Sequence, residues 1–108
     1  MSRISSMILA GAALLALSSA ANAASFSCYG NLTYTERAIC DNPNLSNLDS
    51  VMASTYFQIL GGSSKTLKRA LQRDQIGWLR QRNSCGASVG CLSAAYHNRL
   101  SQFDTYGD

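Results

Sequence analysis

Histidine is almost missing from this chain, whose 108 residues include only one, His97. We place His97 on the outer part of the last predicted helix. A metal site needs several converging histidine, cysteine or carboxylate ligands, which one histidine cannot supply. The cysteines also lack the Cys-x-x-Cys spacing of a thiol oxidoreductase. These absences predict a protein that is not an enzyme and holds no metal or cofactor, with a hydrolase of unrecognised site as the alternative.

Charge and long apolar runs are also scarce. Charged residues make up 14% of the chain, and the formal net charge is +3. Loss of Arg3 with an N-terminal signal would lower this charge to about +2, which gives no ground for a nucleic-acid partner. The apolar run from Ile4 to Leu17 falls short of the ~20 residues that span a bilayer, so we predict no membrane span.

The N-terminus carries the parts of an export signal. A positive start at Met1 to Arg3 precedes the apolar run, and the small-x-small pattern Ala21-Asn22-Ala23 follows it. We predict cleavage after Ala23, which divides the chain into a signal peptide over 1–23 and one domain over 24–108. No cysteine directly follows the apolar run, so a lipid anchor is not indicated. The expected location is the periplasm or the exterior.

Four cysteines fall into two pairs, Cys28 with Cys40 and Cys85 with Cys91. Disulfides persist in oxidising compartments and supplement the limited core of a small exported domain, each contributing ~2–4 kcal/mol. The predicted helices bring all four cysteines to one end of the molecule. All three connectivities are therefore geometrically open, and we favour the two local bridges.

The sequence predicts an all-α domain, because no stretch shows sustained two-residue alternation. Thr33 and Glu36 form a capping box, in which each side chain bonds a free backbone N–H at the start of a helix. Asp41 to Asn44 is predicted to be a turn, and Ser46 with Asp49 repeats the cap pattern. Glycines and serines over 61–64 are typical of a turn between antiparallel helices. The result is a small disulfide-bridged antiparallel helical bundle, with a short N-terminal helix over about 34–40 and longer helices over about 47–60, 65–84 and 89–103.

Aromatic residues recur on the apolar faces of these helices. Tyr56, Trp78 and Tyr96 lie at three- and four-residue steps from other apolar positions, which predicts core positions for all three. Trp78 is the only tryptophan, and its alternative role is that of an exposed binding anchor.

Arg82 and Gln75 fall on the same helical face as Trp78, apart from the other basic residues. A charge on that face needs a partner, and we propose Asp49, with Glu36 as the alternative acceptor. A buried pair of this kind costs ~3–5 kcal/mol to break. The other possibility is that Asp49 only caps its helix and that Arg82 holds its head group in water.

A second face of the third helix is basic. It could contact an anionic surface such as lipid headgroups, lipopolysaccharide or an acidic protein, or it could simply be the solvated face of the helix. The side chains of this candidate contact face are Lys65, Lys68, Arg69, Arg73 and Arg80.

Taken in order, a set of short motifs resembles the bacterial LprI-like lysozyme-inhibitor family, in its N-terminal domain. The motifs span nearly the whole predicted mature chain. They are Ser25-Phe26-Ser27-Cys28, Thr33-x-x-Glu36-x-x-Ile39-Cys40, Leu45-x-x-Leu48-Asp49 with Tyr56, Gln75-x-x-Trp78-Leu79-x-x-Arg82-x-x-Cys85, and Cys91-Leu92 with Tyr96.

The resemblance implies an exported, cysteine-bridged helical domain. It also implies inhibition of a lysozyme or another cell-wall-active protein, by steric blockade from a bundle end or a loop. The alternative function is an envelope-associated or stress-related protein that contacts anionic lipid or polysaccharide through the basic helix face. The shared framework positions that it implies are Cys28, Glu36, Cys40, Asp49, Gln75, Trp78, Arg82, Cys85 and Cys91.

Overall fold

Four helices make up the computed structural model, which describes residues 24–106. Within that range there is no strand, and the predicted all-α, disulfide-bridged fold is confirmed. The predicted signal peptide over 1–23 lies outside the described residues. The helices are α1 Tyr34–Asp41, α2 Pro43–Gly61, α3 Lys65–Asn83 and α4 Val89–Phe103.

The short helix α1 begins as its capping box predicts. The Thr33 backbone N–H donates to Glu36 Oε1 at 2.9 Å, and the Glu36 N–H donates to Thr33 Oγ1 at 3.1 Å. The buried Thr35 hydroxyl donates to the Gly86 carbonyl at 2.7 Å, and a longer bond of 3.3 Å reaches the Asn83 carbonyl. These bonds hold α1 beside the end of α3.

The start of α2 differs from the prediction, which placed a turn over 41–44 and a cap at Ser46. Asn42 is the cap, since its Oδ1 accepts a hydrogen bond from the Leu45 N–H at 3.0 Å. Pro43 occupies the first helical position, where a missing N–H costs nothing because that group has no helical partner. Ser46 lies inside the helix and donates to the Ile39 carbonyl at 2.6 Å.

The predicted turn over 61–64 joins α2 to α3, and Ser64 caps α3 by accepting from the Leu67 N–H at 3.2 Å. Packing between these two helices is sparse, however. The helix α2 packs most extensively on α4, which also supports α3. Because α2 and α3 touch each other little along their length, a groove remains between them.

The core lies between α2, α3 and α4, and α1 contributes Ile39 to it. Tyr56, Trp78 and Tyr96 are all buried, as predicted. The Trp78 ring meets the Tyr96 ring edge-on with centroids 5.3 Å apart, and its indole N–H donates to the Ala95 carbonyl at 3.1 Å. Trp78 is thus a core residue and not an exposed anchor. The other buried apolar residues are Ile39, Leu45, Met52, Leu71, Leu92 and Phe103.

Both disulfides are local, which confirms the favoured pairing. Cys28 is bonded to Cys40 and Cys85 to Cys91, with Cα atoms 5.8 and 5.6 Å apart. Gly86 follows the end of α3 with a φ of +60°, a left-handed conformation that favours glycine. Across the described residues, none of the helices combines the length and the apolar character needed to cross a membrane.

Candidate functional site

A buried carboxylate organises the polar interior at the cysteine end of the bundle. Asp49 has no exposed surface, and three donors meet its two oxygens. The Ser25 backbone N–H and hydroxyl both donate to Oδ2, the former at 2.7 Å, and the Tyr96 hydroxyl donates to Oδ1 at 2.7 Å. Asp49 therefore fastens the N-terminal arm to α2 and α4, and the predicted role of Asp49 as a helix cap is wrong.

The predicted ion pair between Asp49 and Arg82 is present. Arg82 Nη1 lies 3.7 Å from Asp49 Oδ1 and 3.4 Å from the Tyr96 hydroxyl, so the phenol sits between the two charges. Arg82 also donates to Asn83 Oδ1 at 2.8 and 3.1 Å. Glu36, the alternative acceptor, completes its capping box instead.

Tyr96 and Ser25 were not expected in this network. The sequence assigned Tyr96 only to the core. Apolar spacing predicts that the ring is buried, but it does not predict which residue will accept a hydrogen bond from the phenol hydroxyl. Burial raises the pKa of Tyr96 above its ordinary value, and the hydrogen bond to Asp49 and the Asp49 charge raise it further. The Arg82 charge acts in the opposite direction. The phenol thus stays protonated and keeps donating to the carboxylate.

We expect Tyr96 to make the stability of the fold fall at high pH. The folded pKa lies above the unfolded value of about 10, so the contribution of Tyr96 is complete below pH ~10 and is lost as the pH rises beyond it. Urea unfolding of the wild type and Tyr96→Phe at several pH values measures this effect. The difference in unfolding free energy between the two proteins should shrink above pH ~10. If the unfolding free energies of the two proteins differ by the same amount at every pH up to about 11.5, the proton of the Tyr96 phenol does not contribute to stability.

A second buried polar pair joins α3 to α4, and sequence reasoning missed half of it. Gln75 Oε1 accepts from Arg99 Nε at 2.9 Å, while Arg99 Nη1 donates to Gln102 Oε1 at 2.9 Å. The guanidinium also stacks over the Phe103 ring, 4.5 Å from its centroid. Arg99 lies at helical spacing from Tyr96 and Phe103 on the buried face of α4, and this spacing could have revealed it.

Arg99 is a buried cation without a full set of partners. It is 3% exposed, and its Nη2 nitrogen has no hydrogen-bond partner. Within residues 24–106, one ion pair has a nitrogen–oxygen distance below 4.0 Å, and it joins Arg82 to Asp49. No carboxylate oxygen therefore lies within 4.0 Å of the Arg99 guanidinium nitrogens. The Tyr106 hydroxyl, which donates to Asp74, also lies in the field of the Arg99 charge.

The groove between α2 and α3 has a volume of about 410 Å³. We call it the α2–α3 groove. Its polar residues lie along the floor and at the cysteine end: Ser25, Glu36, Asp49, Gln75 and Arg82. Its apolar walls are formed by Phe26, Met52, Ala53, Tyr56, Phe57 and Leu79.

A second exposed feature is the segment 28–34, which we call the tyrosine loop. The Cys28–Cys40 disulfide and the start of α1 hold it at its two ends. Tyr29 is 71% exposed and Tyr34 85% exposed, the two most exposed large apolar side chains among the described residues. Gly30 has a φ of +91°, so the loop turns through a conformation that other residues rarely adopt.

The basic residues of α3 do not form one uniform face. Lys65, Arg69, Arg73 and Arg80 are exposed, as predicted, whereas Lys68 is half-buried. Lys68 lies two turns before Gln75 on the same side of α3 but is not among the residues that line the groove. His97 is exposed on α4, as predicted.

The part of the chain that the structure describes brings together no group of three or more His, Cys, Asp or Glu side chains that could hold a metal ion. Comparisons of the chain with models of protein families, with curated proteins and with solved structures give no match.

Proposed function

We propose that this chain is an exported binding module that inhibits a lysozyme or a related cell-wall hydrolase by inserting the tyrosine loop into the enzyme's cleft. One observation carries the proposal: Tyr29 and Tyr34 are largely exposed at the two ends of the tyrosine loop, the first next to the Cys28–Cys40 disulfide and the second at the first residue of α1. Two largely exposed aromatic side chains on one short segment offer apolar surface that a partner would remove from water.

The chemistry of tyrosine suits a contact of this kind. Tyrosine offers a large amphipathic surface at a low cost in side-chain entropy, and it is enriched among the residues that dominate binding energy. The Cys28–Cys40 bridge and the Thr35 hydrogen bond to Gly86 restrain the loop before binding. Restraint in the free state lowers the entropy that binding would otherwise have to offset.

Charge favours the tyrosine loop over α3 as the contact surface. Animal lysozymes are typically strongly basic, and the exposed side of α3 carries Lys65, Arg69, Arg73 and Arg80. Like charges across an interface slow docking and weaken binding. The tyrosine loop instead has one acidic and one basic neighbour, Glu36 and Arg37, so it presents no such barrier.

Two further observations support the partner and the compartment. Both disulfides are of the kind that persists in oxidising surroundings, as in the periplasm or outside the cell. The ordered motifs resemble those of the LprI-like lysozyme inhibitors, and this resemblance selects a lysozyme as the first partner to test.

We expect the oxidised domain over 24–108 to inhibit at least one enzyme in a panel of lysozymes. The double variant Tyr29→Ala/Tyr34→Ala should raise the inhibition constant by ~30-fold or more, because the loss of even one dominant contact costs ~2 kcal/mol. Phe57→Ala is the matched control, since it removes a 65%-exposed aromatic side chain from α2 and should leave inhibition unchanged. Initial rates of cell-wall hydrolysis give the inhibition constants.

The absence of inhibition and of binding across the panel would contradict the proposed function. Inhibition that survives in the tyrosine variant would contradict the role of the loop.

A variant in which Lys65, Arg69 and Arg73 are all neutralised distinguishes lysozyme inhibition from the alternative function, which is contact with an anionic envelope surface. Salt-sensitive binding to anionic vesicles that is lost in the neutralised variant, with no effect on any lysozyme, would favour that alternative.

A further inference from the structure

A cleft runs between α3 and α4 and shares no lining residue with the α2–α3 groove. It consists of two adjoining cavities of about 290 and 280 Å³, which have Gln81, Ala95 and Asn98 in common. Taken together, the two cavities fall within the ~300–1,000 Å³ that small-molecule sites occupy. We call this feature the α3–α4 cleft, and its polar side chains are Gln81, Ser84, Asn98, Ser101 and Gln102.

The α3–α4 cleft is uncharged. Among the described residues, none of those that line it carries a charge, whereas the α2–α3 groove contains Glu36, Asp49 and Arg82. A charged ligand group would lose contact with water in the cleft without gaining a counter-charge, which is costly. The cleft therefore favours a neutral ligand.

The polar side chains of the cleft offer both donors and acceptors. Gln81 and Asn98 are exposed, and each side-chain amide carries an N–H₂ donor and a carbonyl acceptor. Gln102 Oε1 already accepts from Arg99 Nη1 at 2.9 Å, so the amide nitrogen of Gln102 remains a donor. The Ser84 hydroxyl donates to the Gln81 carbonyl at 2.6 Å, so its oxygen remains an acceptor. This mixture suits a ligand rich in hydroxyl groups, since each hydroxyl both donates and accepts.

A small apolar surface lies among these polar groups. Ala94 and Ala95 contribute methyl groups, and Trp78 contributes part of its ring, which is 5% exposed. The indole N–H is occupied by the Ala95 carbonyl at 3.1 Å, so Trp78 offers carbon surface alone. Carbon surface beside amides and hydroxyls matches a sugar ring, which has an apolar C–H face and a rim of hydroxyls. An alkyl chain matches it poorly, because the polar side chains would lose water without gaining a partner.

The division of the cleft into two parts indicates a ligand with a repeating unit. The two cavities are nearly equal in volume and adjoin at Gln81 and Asn98. The Cys85–Cys91 disulfide lies in one of them and joins the segment after α3 to the first turn of α4. This restraint lowers the entropy that binding would otherwise have to offset.

We propose that the α3–α4 cleft binds a neutral oligosaccharide, with one sugar ring in each of two adjoining subsites. Gln81 and Asn98 bond hydroxyls of both rings at the junction. Ser84 accepts a hydrogen bond in the subsite next to the disulfide, and Gln102 donates one in the other. This site shares no residue with the tyrosine loop and does not rest on the proposed inhibitor function.

Titration with neutral sugars tests the proposal on the oxidised domain over 24–108. N-acetylglucosamine and its β-1,4-linked dimer form one series, glucose and cellobiose form the other, and binding is followed by backbone amide NMR shifts. We expect saturable binding of at least one disaccharide, with the largest shifts at Gln81, Ala95 and Asn98. That disaccharide should bind about tenfold more tightly than its monosaccharide, because it fills both subsites at once. Comparison of the two series shows whether an acetamido group contributes.

Two variants and one matched control locate the sugar. Gln81→Ala/Asn98→Ala removes the amides that both subsites share and should weaken disaccharide binding by about tenfold. Gln72→Ala removes an exposed amide of α3 that lines neither subsite and should leave the affinity unchanged. Ala94→Trp fills the subsite next to the disulfide and should reduce the affinity for the disaccharide to that for the monosaccharide. All the substituted positions are exposed, so the variants should remain folded, which circular dichroism checks.

Several outcomes would overturn the proposal. The first is that neither disaccharide binds saturably, and the second is that a disaccharide and its monosaccharide bind equally well. An unchanged affinity in the folded Gln81→Ala/Asn98→Ala variant would place the sugar outside the cleft. Tighter binding of digalacturonate than of either neutral disaccharide at these residues would contradict the preference for a neutral ligand. Shifts at the cleft with a neutral dipeptide amide, and with neither disaccharide, would replace the sugar with a peptide.

Discussion

Asp49→Ala is expected to lower the free energy of unfolding by about 3–5 kcal/mol, the largest effect of any single substitution proposed for this chain. The substitution removes the acceptor for Ser25 and Tyr96 and leaves the buried Arg82 without its counter-charge. A stranded buried charge is costly because the interior solvates it poorly. Urea unfolding at neutral pH, followed by circular dichroism, measures the change.

Asp74→Ala is the matched control for this substitution. Asp74 is an exposed carboxylate on α3 that accepts a hydrogen bond from the Tyr106 hydroxyl at 3.1 Å. Its removal should change the unfolding free energy by less than about 0.5 kcal/mol. The double variant Asp49→Leu/Arg82→Met should recover much of the loss, since it removes both charges together. A loss below about 1 kcal/mol for Asp49→Ala would mean that the network contributes little to stability.

Removal of the Cys28–Cys40 bridge is expected to have the second largest effect. The double variant Cys28→Ser/Cys40→Ser should lose about 2–4 kcal/mol, mainly because the unfolded chain is then less restricted. The bridge also lies three residues after Ser25, so its loss frees the arm that binds Asp49. Urea unfolding gives the loss in stability, and hydrogen exchange at the Ser25 amide reports the release of the arm.

The other disulfide supplies the comparison. Cys28 and Cys40 are 12 residues apart and Cys85 and Cys91 are 6 apart. Loop-closure entropy grows with the logarithm of loop length, so Cys85→Ser/Cys91→Ser should lose less stability, by roughly 0.6 kcal/mol from this term alone. Exchange at Ser25 should be unchanged in that variant. A greater loss from the shorter loop would contradict this explanation.

The pairing of Asp49 with Arg82 shows how far the sequence could lead. Helical periodicity placed Arg82 on the face of Trp78, and a charge on that face requires an acceptor. The position of Tyr96 between the two charges, and of Ser25 at the second carboxylate oxygen, depends on how α4 and the N-terminal arm pack around α2. Nothing local in either residue indicates such a partner.

The start of α2 was misplaced for a different reason. Asn42 and Pro43 are compatible both with a turn and with a helix cap followed by the first helical residue. Which of the two forms depends on whether Leu45 and Ser46 are buried against α1, as they are in the structure. Local sequence could not decide between the two, because burial is a property of the packed chain.

The helical class, the number of helices and the core aromatic residues follow from local patterns: caps, glycines and apolar spacing. The sequence left three disulfide connectivities open, and the folded structure contains the two local bridges that we favoured. Tertiary structure alone decides that α2 packs mainly on α4, that a groove opens toward α3, and that Gln75 is the residue to which Arg99 donates. The physical reason is the range of the forces involved. Caps and periodicity act within about one or two helical turns, whereas the groove and its charges arise from contacts between residues far apart in the chain.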